Sequence, residues 1–503
     1  MFELFRSKAI PELASIRSTG FWHNVVLPAC YSEPAILHAS IALACEFGLC
    51  AEPKSSSQAD DNESVRLDAV VEYNKAIYYL KEHITKQSNA RSSRAILITC
   101  VLFITLELFT GRLQKATIHL DQGRKLLLQS YIAQSNGSTT DAPENETKAL
   151  VFASNPESVE DELVNIFAHL DIQSTYFGSN RPQLKLATHS SITSSGKSNC
   201  PKSPTSLVVP SSFHSIHEAN QHLVIIMNES LTFVGHSFDA ARHTLQNQLS
   251  NFHRQYLYTH LQDWRQAYER LCLEAKPQQR SDRMWKEQSA LMLIQHAWLS
   301  VIVPSSYLEI EETEYDSYLR HFTTIVDLVS SISLQRDEEK TGSDHNHFTF
   351  ELGVVPPLWW TVMKCREPSI RRKALSLLSQ VGREGLWDPV LMHYLGREII
   401  LLEEEVEAEG MRLASSYFSL NDECIDEKED LSTLIPLHRR ISAATVSFND
   451  KDPATFQMAF LRKQWDCDGV STSFEQIVRD GYFEGRQRQS QRLSKGAFNS
   501  ENK

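Results

Sequence analysis

The segment from Ala95 to Phe109 constrains this chain most, because Glu107 is its only charged residue. A helix that crosses a bilayer needs about 20 apolar residues, so this segment is too short to span a membrane and is instead typical of a buried helix. A helix with no polar face must be covered by neighbours on several sides, which favours a core made of packed helices. We expect Ala95–Phe109 to be the most buried helix of the protein.

The neighbouring sequence supplies the helices that such a core requires. Gly111 interrupts the apolar run, and after it Leu113, Ala116, Leu120 and Leu127 recur at helical spacing with charged residues between them. Similar patterns predict further helices before and after this pair, at residues 33–44, 65–84, 159–177, 213–274, 281–334, 356–367, 369–381 and 391–411. In the helix at 65–84, the residues expected to face inward are Val70, Tyr73, Ile77 and Leu80.

The apolar period changes from helical to alternating near the C-terminus. Apolar residues alternate with others at Val446 and Phe448 and again at Phe456, Met458 and Phe460, on either side of an Asn-Asp-Lys-Asp-Pro turn sequence. This pattern predicts a hairpin in which Ala443–Asn449 pairs with Ala454–Arg462. The expected fold is therefore all-α, a multi-helix domain with a small C-terminal β-hairpin.

Two polar segments divide the chain. Residues 130–158 and 187–212 are rich in serine and threonine and have few apolar anchors, so they are expected to be flexible and to be cut first by a protease. We therefore expect an N-terminal helical part at 1–129, flexible inserts around one helix at 130–212, a C-terminal helical part with the hairpin at 213–484, and a disordered tail at 485–503.

Composition restricts the function. The 503 residues include 50 basic and 63 acidic ones, a net charge of −13 that opposes broad attraction to nucleic acid or anionic lipid. The N-terminus has no basic flank followed by an apolar run, so we expect an intracellular protein without a membrane partner. The 9 cysteines are scattered and odd in number, which does not suggest a disulfide framework.

Several groups of polar residues are candidates for a functional site. His-x2-His spacing at His214 and His217, with His222, His345 and His347, could serve a metal, but a solvated surface beside a polar loop is the favoured interpretation. The helical pattern at 213–274 also predicts that His222 faces inward. Glu107 could be a catalytic acid, but one carboxylate makes no catalytic set, so we expect it to pair with Arg112 or His119.

Two charged stretches have the same ambiguity. A phosphate patch is conceivable at Arg366, Arg371, Arg372 and Lys373, although a helix face paired with acidic neighbours is favoured. The mixture of acidic and apolar residues from Glu403 to Leu431 has the composition of an activation segment, but a solvated helix and loop is favoured. Since no phosphate loop, dinucleotide fingerprint or nucleophile elbow occurs, no catalytic, cofactor-binding or metal residue is assigned and no cofactor is expected.

Several sequence blocks together resemble the regulatory (middle homology) region that follows the binuclear Zn(II)2Cys6 cluster in fungal-specific transcription factors. The blocks occur in the family's order at Phe21-Trp22, Val26-Leu27-Pro28, Glu33 to Ala44, Tyr73 to Ile77, Thr99 to Ile104 with Glu107, Gly111, Ala116, His119-Leu120 and Gly123, Glu351 to Leu358, Cys365-Arg366, Ser369 to Arg372 and Glu384 to Asp388. The resemblance implies a non-enzymatic, nuclear role in controlling transcription, with a metabolic pathway as one target. It also implies protein partners in the transcription machinery or a DNA-binding partner, and room for a small-molecule effector.

The sequence does not contain the DNA-binding zinc module of the family. That module gathers six thiolates in two C-x2-C-x6-C groups around two zinc ions, whereas no two cysteines here are three residues apart. The zinc module would lie upstream, so this is either a stand-alone regulatory region or a gene model without its first exon. We expect no sequence-specific DNA binding by this chain itself. The alternatives are a helical protein-interaction scaffold and an enzyme with no recognisable motif.

Overall fold

The computed structural model describes residues 1–13, 20–51, 59–86, 90–135, 149–153, 155–175, 181–188, 207–239, 247–306, 311–337, 348–404, 435–448, 455–465 and 471–482. Within these ranges no helix combines the length and the apolar character needed to cross a membrane. The middles of the two polar segments, residues 136–148 and 189–206, lie outside the described ranges, as do residues 483–503. The expected flexibility and first proteolytic cleavage there stay predictions.

Helices form most of the described structure, as the sequence predicts. Short helical turns come first, at Phe2–Leu4, Phe5–Ala9, Ile10–Leu13, Phe21–Val26 and Leu27–Cys30. The longer helices are α1 (Pro34–Ala51), α2 (Ala59–Lys86), α3 (Ala90–Phe109), α4 (Leu113–Ser135), α5 (Val159–Ser174), α6 (Ile216–Asp239), α7 (Asn247–Glu274), α8 (Arg283–Ile302), α9 (Leu319–Asp337), α10 (Val355–Lys364), α11 (Pro368–Leu378) and α12 (Pro389–Glu403). Short helical turns also occur at Pro277–Ser281, Glu312–Tyr318 and Leu437–Arg439.

The apolar helix α3 lies in the core, as expected. Every residue from Val101 to Thr110 is buried, and α3 packs against α1, α4 and α5. Two other helices are buried to a similar extent: α5 over Ile166–Ser174, and α10 at every residue except Trp360. Ala95–Phe109 is therefore one of three helices buried to a similar extent, and the expectation that it is the most buried helix is too strong.

The pair α3 and α4 has the predicted break and the predicted inner face. Gly111 adopts a left-handed conformation with φ of 74°, which a residue with a side chain rarely adopts, and it separates the two helices. Ala116, Leu120 and Leu127 are buried. The helix continues to Ser135, past residue 130, where the sequence predicts the start of a flexible segment. Tyr131 packs against the core and extends the buried face.

The C-terminal β element is larger than predicted. Strands β5 (Ile441–Phe448) and β6 (Thr455–Trp465) form the expected antiparallel hairpin, with Val446 opposite Met458 and Phe448 opposite Phe456. A third strand, β7 (Ser471–Tyr482), pairs with β6 and was missed. In β7 each face mixes apolar and charged residues, so the alternation that identified the hairpin is absent there.

Two short parallel pairs fasten segments that are far apart in sequence. Strand β1 (Leu150–Val151) pairs with β2 (Leu186–Ala187), and β3 (Phe348–Thr349) pairs with β4 (Arg383–Glu384). The carboxylate of Glu384 accepts hydrogen bonds from the backbone N–H groups of Gly353, Val354 and Val355 at 2.9, 2.7 and 3.1 Å. It thereby satisfies donors at the start of α10, which have no partner within the helix.

The burial of two histidines indicates that the folded protein is less stable at acidic pH. The rings of His296 and His393 hydrogen-bond the carbonyl oxygens of Leu261 and Leu375 at 3.0 and 2.9 Å, and burial lowers the pKa of each imidazole to about 4. The unfolded chain therefore binds protons that the folded chain does not, and stability falls as the pH drops from 6.5 towards 4. For His296 alone the expected loss is about 3 kcal/mol.

Urea unfolding at a series of pH values measures this loss. In His296→Gln the free energy of unfolding should depend less steeply on pH between 6.5 and 4.5. The decrease in slope should correspond to about one fewer proton taken up on unfolding. A slope equal to that of the wild type would show that His296 titrates normally in the folded protein.

Candidate functional site

The outer face of α2 carries apolar side chains that the described residues leave in solvent. Leu67, Val70, Val71 and Tyr78 are 65%, 51%, 42% and 60% exposed. Their spacing places them along one side of the helix. Val70 was expected to face inward, and that prediction is wrong, because Ala69, Tyr73 and Ala76 occupy the inner side. An exposed apolar stripe of this kind is typical of a surface that meets another molecule.

The inner face of α2 is held by a polar cluster around Glu107. The hydroxyl of Tyr73 donates to Glu107 Oε1 at 3.2 Å, and Arg112 Nη1 lies 3.5 Å from Glu107 Oε2. His119 Nε2 lies 3.3 Å from the Tyr73 hydroxyl. The predicted pairing with Arg112 is confirmed, and His119 joins through Tyr73. Burial lowers the pKa of His119, which favours a neutral ring that donates to the tyrosine oxygen.

A shallow groove between α1 and α2 borders the stripe. His38 Nδ1 lies 2.5 Å from Glu72 Oε2, Lys75 Nζ donates to Glu72 Oε1 at 2.7 Å, and the His38 ring stacks on Tyr79 at 5.2 Å. Burial would raise the pKa of Glu72, but the bonds from Lys75 and His38 outweigh it and keep the pKa below its usual range. The groove is lined by His38, Val71, Asn74, Lys75, Tyr78 and Tyr79. It contains no nucleophile beside a base, so its chemistry suits binding.

A buried ionic cluster joins the helices to the C-terminal sheet. Glu403, at the end of α12, accepts from Arg366 at 2.9 Å, from Arg371 at 2.5 Å and from the backbone N–H of Ile441 in β5 at 2.6 Å. Burial alone would raise the pKa of this carboxyl group, but Arg366 and Arg371 outweigh it and hold the pKa below its usual range. The carboxylate is thus ionised and links three elements.

The same cluster extends to the turn at Glu312–Tyr318. Glu312 accepts from Lys364 at 2.6 Å and from Arg366 at 3.1 Å, while Lys364 also donates to the carbonyl of Ser442 in β5. Arg440 donates two parallel bonds to Asp316, both 2.9 Å long. A bidentate arginine–carboxylate pair of this kind fixes the relative orientation of the two groups as well as balancing their charges. The cluster therefore sets how the sheet sits on the helices.

The structure corrects the interpretation of the basic cluster. Pairing with acidic neighbours is confirmed, but Arg366 and Arg371 are buried instead of lying on a solvated face. Arg372 pairs with Glu404, and Lys373 lies 3.7 Å from Asp327, both at the surface. One sequence feature could have indicated that Arg366 and Arg371 are buried. The acidic run that begins with Glu403 follows directly after the apolar residues 399–402. Glu403 was expected to be solvated, and that expectation is wrong.

The remaining candidates form no metal site within the described ranges. His214 is exposed, whereas His222 is buried against Phe213 and burial lowers its pKa. No group of three or more histidine, cysteine or acidic residues in the described part of the chain could hold a metal ion. His345, His347 and residues 405–431 of the acidic segment lie outside the described ranges.

Residues 1–340 match the family described as the fungal specific transcription factor domain. The chain belongs to this family. The match confirms the resemblance found in the sequence and covers α1 to α9, including the α2 stripe and the Glu107 cluster. Membership places the chain among regulators of transcription. The C-terminal sheet and most of the buried ionic cluster lie beyond the matched residues.

A relative supports the same conclusion over a shorter stretch. The chain is similar to the aspercryptin biosynthesis cluster-specific transcription regulator atnN of Emericella nidulans, with 34% identity over 76 residues. This alignment covers 15% of the chain and 12% of that relative, so the chain spans about an eighth of the relative's length. No solved structure matches the chain.

Proposed function

We propose that this chain is a regulatory domain that controls transcription of a gene set in the nucleus, such as a biosynthetic gene cluster. The observation that carries the proposal is the family match over residues 1–340. The similarity to a regulator of the aspercryptin biosynthesis cluster supports the proposal that the target genes form a biosynthetic cluster. The proposed role is non-enzymatic. The groove and polar clusters of the described residues pair their charged groups with each other and form no reactive set.

The outer face of α2 is the surface that we propose for a protein partner. Leu67, Val71 and Tyr78 have the spacing that an amphipathic helix of a partner can match with its own apolar residues. The adjoining groove supplies charged groups for the rim of such a contact. The partner is a component of the transcription machinery or a DNA-binding protein, and the groove is the place proposed for a small effector.

The double variant Leu67→Ser/Tyr78→Ser tests the partner surface. Fused to an unrelated DNA-binding module in a fungal reporter strain, the full chain should change reporter transcription, and the variant should lose most of that effect. Its melting temperature should stay within a few degrees of the wild type, because both side chains are already exposed. A control, Leu273→Ser, removes a leucine on α7 that is 80% exposed, more than Leu67, and should keep the effect. Unchanged reporter activity in the double variant would contradict the assignment.

The chain alone is predicted to hold no stoichiometric zinc and to bind DNA without sequence preference. Its cysteines lack the spacing of a shared thiolate site, and the charge of −13 opposes phosphate contact. The basic residues between 486 and 495 supply weak attraction that salt should abolish. Metal analysis and a salt-dependent binding titration on the purified chain measure both properties. Two zinc ions per chain, or nanomolar specific binding at physiological salt, would refute the prediction.

A further inference from the structure

Strand β7 lies at the edge of the C-terminal sheet. The order is β5-β6-β7, so among the described residues no strand pairs with the outer side of β7. It is 12 residues long. An edge strand of this length offers a row of backbone N–H and C=O groups to another strand, and proteins usually shorten or cover such edges. On the outer face of the sheet, Phe474 and Val478 of β7 are 58% and 41% exposed.

The residues of β7 are complementary to a second copy of β7 running in the opposite direction. With a two-fold axis at Ile477, Glu475 of each strand faces Arg479 of the other, and Ile477 faces itself. On the other side of the sheet, Phe474 lies diagonal to Val478 of the second copy, within reach of an aromatic side chain. Opposite charges and apolar groups thus meet twice in one register.

The two charged residues of this register already have weak contacts within the chain. Arg479 Nη1 donates to the carbonyl of Val478 at 3.3 Å, a bond to its own strand that it would exchange for Glu475 of the second copy. The neighbour of Glu475 within the chain is Arg462 on β6, 3.7 Å away, and it approaches from the inner side of β7. Arg479 is exposed, so its side chain can reach a strand added at the outer edge. A two-fold axis at Ile477 places the two β7 strands antiparallel with Ile477 opposite Ile477. In this arrangement the outward-facing backbone N–H and C=O groups of each strand can hydrogen-bond those of the other.

We propose that β7 pairs antiparallel with β7 of a second copy of this chain, centred on Ile477, to form a continuous six-stranded sheet. The inference is independent of the proposed function and concerns how two regulatory domains are held together. The occupant is a second copy because Glu475 and Arg479 supply both halves of the charge pattern.

Charge reversal tests the register. The wild-type chain at about 50 µM should sediment as a dimer. Glu475→Arg and Arg479→Glu should each weaken self-association about 100-fold, because each puts like charges opposite each other at both pairs. Mixing the two variants should restore a dimer, because each then supplies the charges that the other lacks. Glu269→Arg, on the exposed side of α7, is the control and should dimerise as the wild type does.

Melting temperatures of all variants accompany the sedimentation data, since Glu475→Arg faces Arg462 and Arg479→Glu lies near Glu398. Recovery of the dimer in the mixture requires both variants to be folded, so it separates a lost contact from a lost fold. A monomeric wild type, single variants that still dimerise, or a folded pair that fails to associate on mixing would each overturn the proposal.

Discussion

Replacing Glu403 by glutamine is expected to lower the free energy of unfolding by about 3 to 5 kcal/mol. The side chain is 0% exposed and neutralises Arg366 and Arg371, which are buried as deeply. Glutamine keeps the size but removes the charge, so Arg366 would keep Glu312, which it shares with Lys364, and Arg371 would keep only the distant carboxylate of Glu404 at 3.9 Å. Removing one member of a buried ion pair costs far more than the pair contributes, because the remaining charge has neither water nor a partner.

Urea unfolding at neutral pH measures the change, and the neighbouring residue provides the control. Glu404→Gln removes a carboxylate that is 26% exposed, pairs with the surface residue Arg372 and lies at the longer distance of 3.9 Å from Arg371, so its expected cost is below about 1 kcal/mol. Hydrogen exchange should also speed up in β5 of the Glu403 variant, because Ile441 loses a charged acceptor. Equal costs for the two variants would mean that the buried cluster is not the connection between helices and sheet.

Replacing Gly123 by alanine is expected to destabilise the protein by about 2 to 3 kcal/mol. A methyl group at this position would overlap the ring of Phe167 on α5 and lie 3.4 Å from Cys100 Sγ on α3. The three helices meet here without spare space. At an open helical position the same substitution would stabilise the fold by about 1 kcal/mol, so the sign of the effect reports the contact.

A double-mutant cycle with Phe167→Leu separates the overlap from other effects. Phe167→Leu should destabilise the protein by itself, but in that background Gly123→Ala should cost much less, since the smaller side chain leaves room. Thermal or urea unfolding of the four proteins yields the coupling energy. Equal effects of Gly123→Ala in the two backgrounds would show that the ring does not limit the approach of α4.

Local sequence patterns determined the helical class and several individual elements. A run with Glu107 as its only charge has to be buried, which placed α3 in the core, and the alternation at Val446 and Phe448 required a strand. The blocks shared with the fungal-specific family identified the regulatory role, which the match over residues 1–340 confirms. These features are visible in sequence because hydrophobic period and composition act over short ranges.

Only the tertiary structure decided which charged residues are buried and which apolar residues remain outside. In sequence Arg366 and Arg371 resemble the surface residue Arg372. Their burial depends on pairing with Glu403, which lies 32 residues after Arg371 in the chain. Val70 and Val71 satisfy a helical pattern for either face of α2. Strand β7 has no apolar alternation and forms because β6 provides a partner edge. Such outcomes depend on contacts between distant segments, and local periodicity carries no information about them.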